Sequence, residues 1–141
     1  MSYQSLRGVY LSPHFTIEEF VYSRTAIEHG ILNLPSEAQI ASIRSLVTHV
    51  LQPLRDRLGE PIAILSGFRN PVVNDLVGGV STSQHTLGEA ADCFIAQGPA
   101  HLLQVLRESR LPFDQAILYK RKKFLHISYR EGRCRREVLE R

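Results

Sequence analysis

A histidine closing a polar loop and an aspartate seven positions on make the densest chemical text in the chain: His85 and Asp92 in Ser83-Gln84-His85-Thr86-Leu87-Gly88-Glu89-Ala90-Ala91-Asp92. Between them, Gly88 and the small Ala90 and Ala91 let the backbone turn tightly, so the two side chains can converge on one cation. Imidazole nitrogen and carboxylate oxygen are both proper zinc donors, and a catalytic zinc takes three protein ligands and keeps a fourth position for water. The third donor expected is His126. It is a polar residue in Phe124-Leu125-His126-Ile127-Ser128, where strand alternation aims it away from Leu125 and Ile127. Residue types and spacing also fit a hydrogen-bonded structural histidine in a strand, so taken alone they leave both readings open.

The elements that must position these residues follow from punctuation and periodicity. Thr16 followed by Glu19 reads as a capping box, with Phe15 stapled against Phe20, and starts a short helix. Ser36 caps a long helix whose apolar Ile40, Ile43, Val47, Val50, Leu51, Leu54 and Leu58 keep the helical period and which Gly59 closes; Pro53 inside it predicts a kink or a break. Pro61 to Ser66 reads as a buried strand, Asn70-Pro71 to Leu76 as a short helix, and Val80 to Gly88 as a polar loop. Ala90 to Ala96 reads as a second strand, and a helix from Pro99 ends near Arg110. Asp114–Tyr119 and Phe124–Tyr129 form an antiparallel hairpin around a basic turn. The expected fold is therefore α+β, a small, mostly antiparallel sheet with helices packed on it, in a single domain spanning 1–141.

Composition narrows the function classes. With 141 residues, 43% apolar and 22% charged, the chain is an ordinary globular domain, and no run nears the roughly 18 apolar residues of a membrane span. Met1 to Tyr10 lacks the features of a secretory signal, which predicts synthesis in the cytoplasm. Two cysteines, Cys93 and Cys134, exclude a disulfide framework. Arginines around Cys134 could lower its thiol pKa, yet no histidine is placed to make it a nucleophile. The net charge is +3, with the basic excess between Lys120 and Arg141. That excess reads as a solvated hairpin tip and a frayed basic end, with attraction to a polyanion as the alternative; without aromatic stacking residues or a recognition motif, nucleic acid is not an expected partner.

Ser83-x-His85-x-x-Gly88-x-Ala90-x-Asp92 resembles, position for position, the signature of the zinc D-Ala-D-Ala carboxypeptidases and L-alanyl-D-glutamate endopeptidases. These peptidoglycan metallopeptidases include phage endolysins and share their fold with the hedgehog signalling domain. Ser66-Gly67-Phe68-Arg69-Asn70-Pro71-x-x-Asn74 is similar to the family's upstream segment, Gly78-Gly79 to the turn before its metal loop, and Leu125-His126-Ile127-Ser128 to its last ligand strand. Phe15 to Phe20 and Phe113-Asp114-Gln115 resemble a small, often prophage-encoded branch. The resemblance implies one Zn2+ per chain on His85, Asp92 and His126, with Arg69 near a substrate carboxylate or the developing oxyanion and Ser83 and Gln115 binding substrate. Arg69 also reads as a structural brace of its loop. The implied partner is the peptidoglycan stem peptide, reached by a phage-type route, and a monomer is expected. A metal-bearing relative that binds wall peptides without cleaving them is the alternative.

Many relatives carry an acidic general base three residues before the last histidine, and here that position is Lys123. Hydrolysis needs a proton acceptor all the same. With the hairpin turn centred near Arg121, Asp114 is expected on the face of His126, which makes it the candidate base ahead of Tyr119, whose phenol suits oxyanion donation. Asp114 also reads as a strand-start carboxylate. Glu89 is a further carboxylate near the loop, with a direction the sequence does not give.

Overall fold

In the computed structural model, which describes residues 2–141, the chain opens with helix α1 (Tyr3–Leu6) and a small antiparallel hairpin of β1 (Tyr10–Ser12) and β2 (Phe15–Thr16). Short helices α2 (Ile17–Val21) and α3 (Arg24–Glu28) follow. The Glu19 carboxylate accepts from the Thr16 backbone N–H at 2.7 Å, and the Phe15 and Phe20 rings meet at 6.1 Å, so the expected start signal and staple both form.

The long helix begins at Ser36, whose hydroxyl accepts from the Gln39 N–H. It runs as α4 (Glu37–Leu46), a π-helical turn (Val47–Leu51) and α5 (Gln52–Leu58), closed by Gly59 at φ +72°. Pro53 neither stops nor breaks the helix. Lacking an N–H, it cannot bond the carbonyl four residues back, and the turn just before it widens so that the Gln52 N–H reaches the Val47 carbonyl.

Strand β3 (Ala63–Ser66) leads to α6 (Pro71–Leu76), capped by the Asn70 side chain. A 3-10 turn (Gln84–Leu87), strand β4 (Ala90–Phe94), helix α7 (Pro99–Glu108), and strands β5 (Gln115–Tyr119), β6 (Phe124–Ser128) and β7 (Glu137–Glu140) complete the chain. The five-stranded sheet has the order β3-β4-β6-β5-β7. All its pairs are antiparallel except β5 with β7, which confirms the mostly antiparallel α+β class.

Two expectations are corrected. The strand read as buried, β3, is a sheet edge whose residues are exposed or half-buried, because one side of it has no partner. The basic end is not frayed: β7 docks beside β5, and its Val138 and Leu139 pair with Ala116 and Ile117.

Register explains how the sheet serves two masters. Ala91 lies opposite Ile127 and Ile127 opposite Ala116, while Cys93, Leu125 and Leu118 line up in the same way; these join Leu46, Val50, Leu54, Leu102 and Leu106 of the helices in one buried apolar cluster. The intervening row, Asp92, His126 and Ile117, projects from the other face. Among the described residues no helix is long and apolar enough to cross a membrane.

Candidate metal centre

On that second face, neighbouring strands bring Asp92 and His126 into direct cross-strand register. His85 arrives from the 3-10 turn, folded back by Gly88 at φ +75°, where a Cβ would stand 2.5 Å from the Gln39 carbonyl oxygen. His85 Nε2 lies 3.2 Å and His126 Nδ1 3.1 Å from the same atom, Asp92 Oδ1. One donor atom from each of the three residues falls within 4.8 Å of the others, and all three residues are buried. The three residues expected as ligands are thus brought together.

The donor set fits a cation. His85 Nδ1 donates to the Gly67 carbonyl oxygen at 2.7 Å, since a carbonyl can only accept, so a neutral His85 turns the lone pair of Nε2 toward the carboxylate. Two lone pairs 3.2 Å apart repel unless a proton or a metal ion lies between them. Zinc bonds of about 2.0–2.2 Å in a tetrahedron set neighbouring donors about 3.3–3.6 Å apart, close to the spacing observed. Burial pushes the His126 pKa down, against the pull of the Asp92 carboxylate, which favours the neutral, ligating imidazole. Burial drives the Asp92 carboxyl upward, but its imidazole neighbours His126 and His85 outweigh it and hold the group well below the usual carboxylate range, so it stands as an anion ready for a cation.

The supporting contacts are specific. Gly67, whose carbonyl fixes the His85 ring, has no room for a side chain, because a Cβ would meet the Phe20 carbonyl oxygen at 2.6 Å. The Arg69 N–H also donates to the His85 carbonyl. The Arg69 guanidinium reaches Ser66 Oγ (2.9 Å), Asn74 Oδ1 (3.3 Å) and Asp92 Oδ2 (3.2 Å). Arg69 therefore holds the carboxylate oxygen that the histidines leave free, and keeps two of its five N–H groups unspent.

A cleft of about 520 Å3 opens over the three residues and is also lined by Arg69, Ser83, Gln115, Tyr119, Lys122, Arg130, Arg133, Arg135 and Arg141. Ser83 Oγ accepts from the His85 N–H at 3.2 Å, and the Gln115 amide donates to Glu137 at 2.6 Å, so both expected substrate contacts face the cleft while bracing the protein. Tyr119 lines it too, its ring stacked on Phe124 at 4.5 Å.

Asp114 does not join this group. The hairpin tip is one residue longer than a turn centred on Arg121, which places Ile117 opposite His126 and gives that face to Gln115 and Tyr119. Asp114 precedes β5, about 10 Å along the strand from Ile117. Its buried carboxylate takes the Arg135 fork, with Nε at 2.7 Å and Nη2 at 3.2 Å. Glu89 is likewise committed, accepting from Arg130 Nε on both oxygens at 3.0 Å. Cys134 is not activated: burial, then the Asp114 charge, pushes its thiol up. The basic residues around the cleft were visible as a C-terminal excess, but without β7 nothing in the sequence tied them to the site.

No curated protein matches the chain. A model of the Peptidase M15 family matches residues 13–128, a span that holds His85, Asp92, His126 and Arg69. With that match covering most of the chain and the three donors converging as described, the chain belongs to the Peptidase M15 family.

Proposed function

We propose that the protein is a zinc metallopeptidase that hydrolyses peptide bonds in peptidoglycan stems or cross-links. The observation that carries the proposal is the meeting of His85 Nε2 and His126 Nδ1 at Asp92 Oδ1 on the floor of an open cleft. A zinc ion held there supplies Lewis acidity to a carbonyl oxygen and acidifies water. The chain's own residues do the rest. His85 is locked in one tautomer by Gly67, and Asp92 is oriented by Arg69 through its outer oxygen. Arg69 lines the cleft, and its two spare N–H groups would donate to a substrate oxygen on which negative charge develops. Tyr119, the one phenol among the described residues of the lining, offers a neutral donor from the opposite strand.

A second reading is favoured by one observation: among the described residues, Asp92 is the one side-chain carboxylate lining the cleft. A site without a further acid for the proton suits a relative that holds metal and binds wall peptides without turnover. Incubating zinc-loaded protein with defined muropeptides and identifying products by mass spectrometry tests both. Cleavage of a peptide bond, lost with a chelator and restored by zinc, is expected; bound zinc and bound peptide with no product would establish the second reading instead.

A further inference from the structure

The cleft that holds the three donors is strongly cationic, and its cations are not equivalent. Arg69 is engaged by Asp92, Arg130 by Glu89 and Arg135 by Asp114. Lys122 and Arg141 have no ion-pair partner among the described residues, and Arg133 stands 4.0 Å from an Asp114 oxygen that Arg135 already occupies. These three cationic side chains face a cleft whose one side-chain carboxylate among the described residues is committed to the histidines.

The wall that carries them is built. Arg135 is tied to Asp114, Arg136 lies 4.7 Å over the Phe113 ring and donates to the Arg107 carbonyl, and β7 runs in register along β5. Arg141 is fixed at the hairpin-tip end by its N–H to the Leu118 carbonyl at 2.8 Å, the end that also carries Lys122. Arg133 belongs to the opposite end, beside Asp114 and so next to Gln115. From Gln115 to Tyr119 is about 13 Å of strand, with Ile117, the partner of His126, midway.

We infer that the two ends of the cleft are subsites for substrate carboxylates, one at Arg133 and one at Lys122 with Arg141, so that the preferred ligand is an acidic peptide bearing an anionic group on each side of the metal centre. This inference rests on the peptidase reading for the identity of the ligand as a peptide. Two charge clusters at opposite ends of that span, with apolar Ile117 midway between them, match discrete carboxylates on a short peptide. A polyphosphate backbone would call for an unbroken stripe.

The test is binding of fluorescent tetraglutamate, tetraglutamine and a single-stranded oligothymidylate with four phosphates to the whole purified chain, read by anisotropy. Tetraglutamate should bind at least about 10-fold more tightly than tetraglutamine, and Arg133→Gln and the double variant Lys122→Gln/Arg141→Gln should each weaken it about 5-fold, the range of a partly exposed ion pair. Arg57→Gln, on α5, should leave the affinity unchanged. Equal affinity for tetraglutamate and tetraglutamine, no effect of the cleft variants, or equal binding of the oligothymidylate would each overturn the inference, the last by assigning the wall to phosphate polymers. Muropeptide turnover is read separately in the same preparations. Absence of cleavage with carboxylate-dependent binding intact removes the peptidase reading and leaves the subsites, whereas cleavage without carboxylate preference removes the subsites and leaves the peptidase.

Discussion

Asp92 and Asp114 are both buried, both paired with an arginine, and both held below the usual carboxylate range. For Asp114, burial pushes the carboxyl up, and hydrogen bonds from the Arg135 side chain and backbone, with the charges of Arg135 and Arg133, more than offset it. In Asp92, one oxygen goes to Arg69 and the other meets two imidazole nitrogens under an open cleft. In Asp114, both oxygens go to Arg135, and the residue does not line the cleft. Burial and a depressed pKa are common to a metal centre and a structural clamp. The partners separate them: lone-pair donors around an acceptor call for a cation, and a guanidinium fork completes a carboxylate by itself.

The contrast is broken most severely at Asp92. On the zinc reading, Asp92→Asn removes the one anionic donor of a three-donor set, so zinc per chain, measured by elemental analysis, should fall to near zero and turnover by more than about 10³-fold. Arg69→Ala comes next. Losing the group that orients a ligand should weaken zinc affinity about 10–100-fold. If Arg69 also acts on the substrate, turnover should stay depressed at least about 10-fold at saturating zinc. Full recovery with added zinc would restrict it to bracing.

Asp114→Asn should behave differently in kind. Zinc content and turnover per folded molecule should stay within about 2-fold, while denaturant unfolding should show a loss of about 1–3 kcal/mol, at the low end because Arg135 is 40% exposed. The sign of the pH dependence follows from the lowered pKa. The unfolded carboxyl titrates near pH 4, so the clamp contributes fully above that value and fades as pH falls through the lower folded-state pKa. The gap between wild type and Asp114→Asn should therefore close in acid, with no change between about pH 6 and 8.

The same two carboxylates show what the sequence carries. His85, Asp92 and His126 were legible because each sits in a local pattern, a Gly-hinged loop and alternating strands, whose side-chain directions survive small errors of length. The place of Asp114 depended on the number of residues in the hairpin tip. A shift of one there puts Ile117 opposite His126 and reassigns the face. Strand β7 was hidden for another reason: four residues, Glu137-Val138-Leu139-Glu140, carry too little pattern to stand out from a basic tail, and their place is set by the backbone ladder that β5 offers. The commitments of Arg130 and Arg135, and the looser 4.0 Å approach of Arg133 to Asp114, are tertiary facts of the same kind.

The smallest effect is expected at the position where the family resemblance leads one to expect an acid. Lys123, three residues before His126, stands in the hairpin tip with its backbone in the left-handed region at φ +61°, its N–H donated to the Tyr119 carbonyl at 2.9 Å. Its side chain is exposed and does not line the cleft. An acid helps as a base only within hydrogen-bond reach of the proton it takes, directly or through one water. Lys123→Glu should therefore leave turnover and zinc content within about 2-fold, and stability within about 0.5 kcal/mol, since charged residues strain this backbone alike and the change is at the surface. A rise in turnover of 10-fold or more in the muropeptide assay would mean that the tip folds over the metal during catalysis. Asp92 would then no longer be the one carboxylate within reach of the reacting atoms, and the contrast with Asp114 would have to be redrawn around a mobile hairpin.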